Sequence, residues 1–237
     1  VLVFLPARPQ ETAAFFFRVL VAGLALLGNV IAASAAEEWE EALKKLPFKE
    51  GKFEFQKFKG PTALLRAFKG GEQLRGLIFL PGATDYIYFH QGTAFELPRV
   101  SRHVLGAITE LTNRTSLQAT FEAGFLFIHM PEEPLLARMQ VRSAGAVEKL
   151  KAKAAPKDLL LLDQPWERFH GEALQATEVK VSPPAGDPKS FHFYRCYFRA
   201  HDLSSWELLK VLSLTMKAEC IVEDEGVEFR EIPHAAP

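Results

Sequence analysis

A chain of 237 residues with 48% hydrophobic and 24% charged residues is too apolar and too nearly neutral to stay disordered. Its 28 Lys and Arg stand against 29 Asp and Glu, a balance that argues against nucleic acid as a partner, since such binders carry a basic excess. Two cysteines cannot build a disulfide-dense scaffold of this length, so a hydrophobic core must hold the fold.

The apolar residues are not evenly spread. Arg8 and Arg18 precede an uncharged run from Val19 to Ala33, and Ala33-Ser34-Ala35 follows. A basic flank, a short apolar run and a small-x-small site form the pattern of a secretory signal peptide. The run is shorter than the roughly 20 apolar residues needed to span a bilayer. Gly23, Gly28 and Asn29 interrupt it further. Cleavage is expected after Ala35, with the bond after Ala36 as second choice; the competing reading is an N-terminal anchor or a buried helix. Removal takes two basic residues and one acidic residue, leaving the rest of the chain slightly more negative. The expected organisation is a signal peptide over 1–35, an N-terminal α+β unit over 36–134 and a C-terminal α+β unit over 135–237. The expected location is periplasmic or secreted, with the membrane met only in transit through the signal peptide.

In chain order, Glu37 to Leu46 reads as an amphipathic helix ended by Pro47, and residues 52–56 alternate like a strand. Gly60-Pro61 introduces a helix to Phe68, and Leu74 to Leu80 is an apolar strand stopped by Pro81-Gly82. Asp85 to His90, rich in aromatic and β-branched residues, predicts another strand. A helical stripe runs from Val100 to Leu111, and a hairpin turning at Glu122-Ala123-Gly124 reaches Met130. Leu135 to Val141 is a strand or a helix start, Ser143 to Ala155 is helical, and Leu159 to Leu162 is a short buried run. Trp166 to Val181 reads as one or two strands before a proline-rich loop. The last unit has a strand from Ser190 to Ala200, a helix from Leu203 to Met216, and a hairpin from Ala218 to Ile232 turning at Glu223-Asp224-Glu225-Gly226.

The two clearest stretches share the order strand, helix, hairpin, proline. Phe95 falls on Phe198, Val100 on Leu203, Leu105 on Leu208 and Ile108 on Val211 at one constant spacing; after a one-residue gap, Gly124 meets Gly226 and Phe127 meets Phe229. A duplicated module and coincidence between two βαββ units both account for this.

The later copy carries a more particular pattern. Asp202-Leu203 steps into a helix with leucines at Leu208, Leu209, Leu212 and Leu214, Thr215 near its exit, and a hairpin with an acidic-Gly turn at Gly226. Residues 190–233, and less fully 86–131, thereby resemble the short N-terminal (STN) domain of secretins and TonB-dependent receptors. Where that domain usually has glycine at the helix exit, this chain has Met216-Lys217, so the helix must end on a non-glycine residue in left-handed conformation or by another geometry. The resemblance implies an extracytoplasmic module that docks with envelope proteins.

Residues with chemistry are sparse. Cys196 and Cys220 both fall on core-facing strand positions; in a βαβ arrangement their strands can be neighbours. A bond between them would close a loop of about 25 residues and contribute roughly 3 kcal/mol, the alternative being two separate buried thiols. No pair among the seven histidines is spaced for zinc, and no Gly-x-Ser-x-Gly or phosphate loop is present. Asp202 sits where a helix start attracts an acid, and Glu132-Glu133 and Glu223-Asp224-Glu225 read as solvated turn charge. Asn113-Arg114-Thr115 matches a glycosylation acceptor. Phe191, Phe193 and Tyr197 share one face of their strand, which is either core or a face presented to a partner.

The expectation is an α+β protein of βαββ-like units, with short helices on mixed or antiparallel sheets and no cofactor. Its expected role is non-catalytic, docking an envelope protein partner. The alternatives are a periplasmic carrier of an apolar ligand such as a lipid or acyl chain, and, third, a secreted enzyme without a recognisable motif.

Overall fold

The structure is a computed structural model that describes residues 48, 60–72, 74–90, 102–162, 180–182 and 196–232. All belong to one compact unit formed by residues 42–237. The expected helix at 37–46, the strand at 52–56, Phe191, Phe193 and the cleavage positions Ala35 and Ala36 lie outside the described residues.

Proline at the first helical turn starts α1 (Pro61–Ala67), which buries Leu64 and Leu65. All four residues of β1 (Gly76–Phe79) are buried, so this strand needs cover on both faces. The next element departs from expectation: residues 85–90 belong to a helix, α2 (Pro81–His90). Aromatic content suggested a strand, but tertiary contacts decide the conformation here. Pro81 suits a first helical position, the Gly82 N–H is bonded to the buried carboxylate of Glu133, and Tyr88 and Ile87 reach inward along the helix.

The apolar stripe of α3 (Val104–Asn113) is Val104, Ala107, Ile108 and Leu111. The hairpin β2 (Gln118–Glu122) and β3 (Phe125–His129) turns on Ala123 and Gly124, both at positive φ, as a two-residue connection requires. After β4 (Met139–Val141), Ser143 caps α4 (Ala144–Ala152) by accepting the Ala146 N–H. The Leu159–Leu162 run lies in β5 (Asp158–Leu162), and β6 (Val181–Ser182) is the described end of the stretch expected from Trp166. Then come β7 (Tyr197–His201), α5 (Ser205–Thr215), β8 (Ala218–Glu223) and β9 (Gly226–Glu231).

These strands make two mixed sheets, and the fold is α+β. The first has order β2-β3-β1-β7-β5; the second has order β4-β8-β9-β6. β1 runs parallel to β3 and antiparallel to β7. The first sheet therefore takes strands from both sides of residue 134. One of its faces carries Ile78, Phe127, Phe198 and Leu161, which register side by side. These side chains share a core with Cys220, Val222, Val227 and Phe229 of the second sheet. Between them lie α4 and α5, and α5 touches β1 on one side and β8 on the other. Such a position explains why α5 is apolar on more than one stripe, with Leu208, Leu209, Val211 and Leu212 all buried. On the opposite face of the first sheet, α1 packs on β7 and α2 on β3.

Pairing also corrects the expected strand–helix–hairpin unit. β8 and β9 pair with each other, but they stand in a different sheet from β7, whereas the β2–β3 hairpin returns to pair with β1. The strands near Cys196 and Cys220 are thus not neighbours. No disulfide joins the two cysteines, and both are buried in the shared core.

At the entrance to α5 the cap is Ser204, not Asp202. Ser204 Oγ accepts the Glu207 N–H, and Glu207 Oε2 accepts the Ser204 N–H in return, a capping box. At the exit Lys217 takes φ 51, so the helix ends through a left-handed non-glycine residue.

Candidate functional site

Sheet topology gathers the charged residues at one end of the five-stranded sheet. Because β1 and β3 run parallel while β7 runs against them, the start of β1, the β2–β3 turn and the end of β7 converge. Arg75 precedes β1, His201 ends β7, Asp158 starts β5, and the N-terminus of α5 brings Glu207.

Arg199 organises one side of this end. Only 8% exposed, it holds Asp158 with two nitrogens, Nε at 3.2 Å and Nη2 at 2.8 Å. Its Nη1 donates to Phe68 O at 2.7 Å and Arg66 O at 3.3 Å, carbonyls at the C-terminal end of α1. A guanidinium with five donors suits a carboxylate and a helix end at once. The same Asp158 lies 3.5 Å from His201 Nδ1, while His201 Nε2 finds no hydrogen-bond partner among the described residues and packs against Gly70.

Arg75 organises the other side. Its Nη2 donates to Glu207 Oε1, and its guanidinium carbon sits 4.8 Å from the centre of the Phe125 ring, a cation–π contact. Among the described residues its Nη1 and Nε make no hydrogen bond. Burial pushes the Glu207 carboxyl up. The Ser204 N–H, the Arg75 guanidinium and the Ser204 hydroxyl outweigh it and leave the group below its ordinary value.

Arg75 lines one cleft and Glu207 another. A polar cleft of about 360 Å³ is lined by Lys69, Gly70, Gly71, Glu72, Arg75 and His201, with Asp202 beside them. An apolar slot of about 220 Å³ is lined by Phe125, Phe127, Leu135, Leu136, Val211 and Leu214, with Glu122, Glu207 and Lys210 at its polar margin. Leu136 is 78% exposed, an unusual degree for a large apolar side chain.

The residues singled out in the sequence lie elsewhere or serve the core. Tyr197 is 1% exposed, with its hydroxyl 2.6 Å from that of Tyr88, so it offers no face to a partner. Burial pushes the Cys220 thiol up to about 12, which makes it a poor nucleophile. Glu133 is not a solvated turn charge. Its carboxylate accepts Gly82 N–H at 2.6 Å and Met130 N–H at 2.9 Å, and its side chain is 11% exposed. His129 is a satisfied interior residue between Thr120 Oγ1 and Met130 O. Asp202 lines the polar cleft at φ 50.

Arg75, Arg199 and Leu136 escaped the sequence reading. The detectable signal was modest: Arg75 and Arg199 each sit beside an apolar run, where an arginine must find partners. Among the described residues no three of His, Cys, Asp and Glu come together as metal ligands. Within that same set no helix is long and apolar enough to cross a membrane. The chain matches no family model, no curated protein and no solved structure.

Proposed function

We propose that this chain is an exported, non-catalytic envelope protein that docks a protein partner. The observation that carries the reading is the apolar slot beside β2, with exposed Leu136 among its lining residues and Glu207, the partner of Arg75, at its polar margin. An exposed apolar side chain over an open slot is the arrangement by which protein surfaces seat a partner's anchor residue. The signal-peptide pattern and the resemblance to the STN domain support the same reading from the sequence.

Slot size favours docking over the second reading, a carrier of an apolar ligand. At about 220 Å³ it is smaller than the roughly 300–1,000 Å³ of sites that enclose small molecules. Catalysis has less support. The imidazole Nε2 of His201, the atom a general base would use, is buried against Gly70 and makes no hydrogen bond among the described residues.

A photo-crosslinking residue placed at Leu136 in the producing cell tests this. One discrete protein adduct, missing when the crosslinker stands at exposed Phe89 instead, is the expected result. No adduct at Leu136, together with lipid co-purifying in native mass spectrometry, overturns docking in favour of the carrier.

A further inference from the structure

We infer that the partner docks as an extended strand added to the open edge of β4, with an acidic residue facing Arg138; this inference rests on the docking reading above and names the partner's element. β4 is an edge strand, parallel to β8 in the register Met139↔Cys220, Gln140↔Ile221 and Val141↔Val222. Cys220 N–H donates to Arg138 O, and Arg142 N–H donates to Val222 O. In a parallel ladder bonded this way Gln140 turns both backbone groups to β8, while Met139 and Val141 turn theirs away from it. Those four outward groups meet no partner among the described residues. Val141 is 48% exposed there. Leu135, Leu136 and Ala137, which line the apolar slot, lead through Arg138 directly into this edge. Slot lining and open edge are thus one stretch of chain.

The side chains of β4 say what such a strand carries. Met139 packs against the shared core, so alternation puts Arg138, Gln140 and Arg142 on the opposite face. On that face Arg142 Nη1 already donates to Glu223 of β8 at 2.6 Å. Arg138 is exposed, and its guanidinium makes no hydrogen bond or ion pair among the described residues, not even with Glu219 across the ladder. No acidic residue stands between Pro134 and Val147 to answer it. An added strand places one residue opposite Arg138, where an opposite charge attracts and a like charge repels. Residues opposite Met139 and Val141 fall on the apolar side. On its paired edge β4 already meets the fitting pattern, Glu219-Cys220-Ile221-Val222-Glu223, acid, apolar, any, apolar, acid. A second copy of this chain fits poorly, since two β4 strands antiparallel about Gln140 would set Arg138 against Arg142. Edge charges ward off indiscriminate pairing, and here the same charge selects an acidic strand.

The test is fluorescence polarisation on the purified protein, with the dye-labelled peptide Thr-Glu-Val-Thr-Val-Glu-Thr as probe. Its pattern reads the same in either strand direction. The expected result is saturable binding, weakened about tenfold or more when both valines and the central threonine are N-methylated, since the edge bonds are then lost in either direction. Replacing both glutamates by lysine should weaken it about fivefold. Arg138→Glu, at an exposed position, should reverse that preference, so that the lysine peptide binds more tightly. Val141→Pro removes an outward N–H, leaves the β8 ladder intact and should weaken binding of the glutamate peptide; should it fail to fold, Arg138→Glu carries the test. Undiminished binding of the N-methylated peptide, or an unchanged charge preference in Arg138→Glu, overturns the inference. So does a Leu136 crosslink to a protein when the glutamate peptide does not bind, which leaves docking in place. A dimer that Val141→Pro disperses, with no peptide bound, overturns it in favour of a second copy. Co-purified lipid with no Leu136 adduct overturns docking, and this inference with it.

Discussion

Gly70 and His201 are packed so closely that a Cβ on the glycine would fall 2.6 Å from His201 Nε2. Gly70 also holds φ +64, a conformation that side-chain-bearing residues rarely adopt. Gly70→Ala is therefore expected to destabilise the protein by about 2 kcal/mol or more. Adding His201→Ala to that variant should recover the steric part and leave the backbone part. Urea unfolding of the two single variants and the double measures the coupling, and strict additivity would show that the contact carries no energy.

The exit of α5 offers a change in the opposite direction. Lys217 occupies φ 51 at the cost a Cβ imposes there, and its ion pair to Glu133, 3.8 Å long and 44% exposed on the lysine side, is worth little. Lys217→Gly should stabilise by about 0.5–1 kcal/mol, seen as a higher urea midpoint at unchanged slope. A lower midpoint would mean that the ion pair outweighs the backbone strain.

Glu133 joins the start of α2 to the end of β3 through two backbone N–H groups. No side chain other than glycine fits at Gly82 without moving that carboxylate, since a Cβ there would lie 2.7 Å from it. Glu133→Ala should cost about 2–3 kcal/mol by leaving both donors short of an acceptor. Amide hydrogen exchange should quicken first at Gly82 and Met130; uniform quickening across the chain would argue against a local role.

Acid should act on the Arg75–Glu207 junction. The folded Glu207 carboxyl titrates below its ordinary 4.5, so its contribution is fully present above that value and is lost as pH falls through the folded value. Glu207→Gln should therefore flatten the acid limb of stability below about pH 4.5 and leave neutral-pH behaviour of the remaining groups unchanged. An acid limb identical to that of the parent would show that Arg75 does not stabilise the charged form.

The buried thiol makes a complementary alkaline prediction. Cys220 is raised from 9.0 to about 12, so the native state keeps it neutral where the unfolded chain would ionise it. Its contribution is fully present below pH 9 and is lost as pH rises toward 12. At pH 8 a thiol reagent should leave the folded protein unmodified at Cys220 and titrate two thiols after denaturation. No titratable thiol after denaturation without reductant, and two once reductant is added, would establish a bond between Cys196 and Cys220.

Local chemistry carried much of the architecture. Pro61 at a helix start, Ala123-Gly124 and Gly226 in hairpin turns, and Ser143 at the beginning of a helix are short-range signals that act over one turn of chain, and each stands where the sequence placed it. The alternation at 218–223 and 226–231 likewise matches β8 and β9. Residues 85–90 show where such signals stop. Their composition favours a strand, yet they lie in α2, whose first turn is bonded at the Gly82 N–H by Glu133, 51 positions away.

By itself, then, the sequence determined the α+β class, the apolar positions and, residues 85–90 apart, the types of the described elements it named outright, because these follow from periodicity and turn chemistry within a few residues. Tertiary structure alone decided which strands share a sheet, that β7 and the β8–β9 hairpin lie apart with α5 between their sheets, and that Arg75, Phe125 and Glu207 meet at one end. Arg75 and Glu207 are separated by 132 positions, and no local pattern encodes a contact whose geometry is set by the register of β1 against β3 and β7.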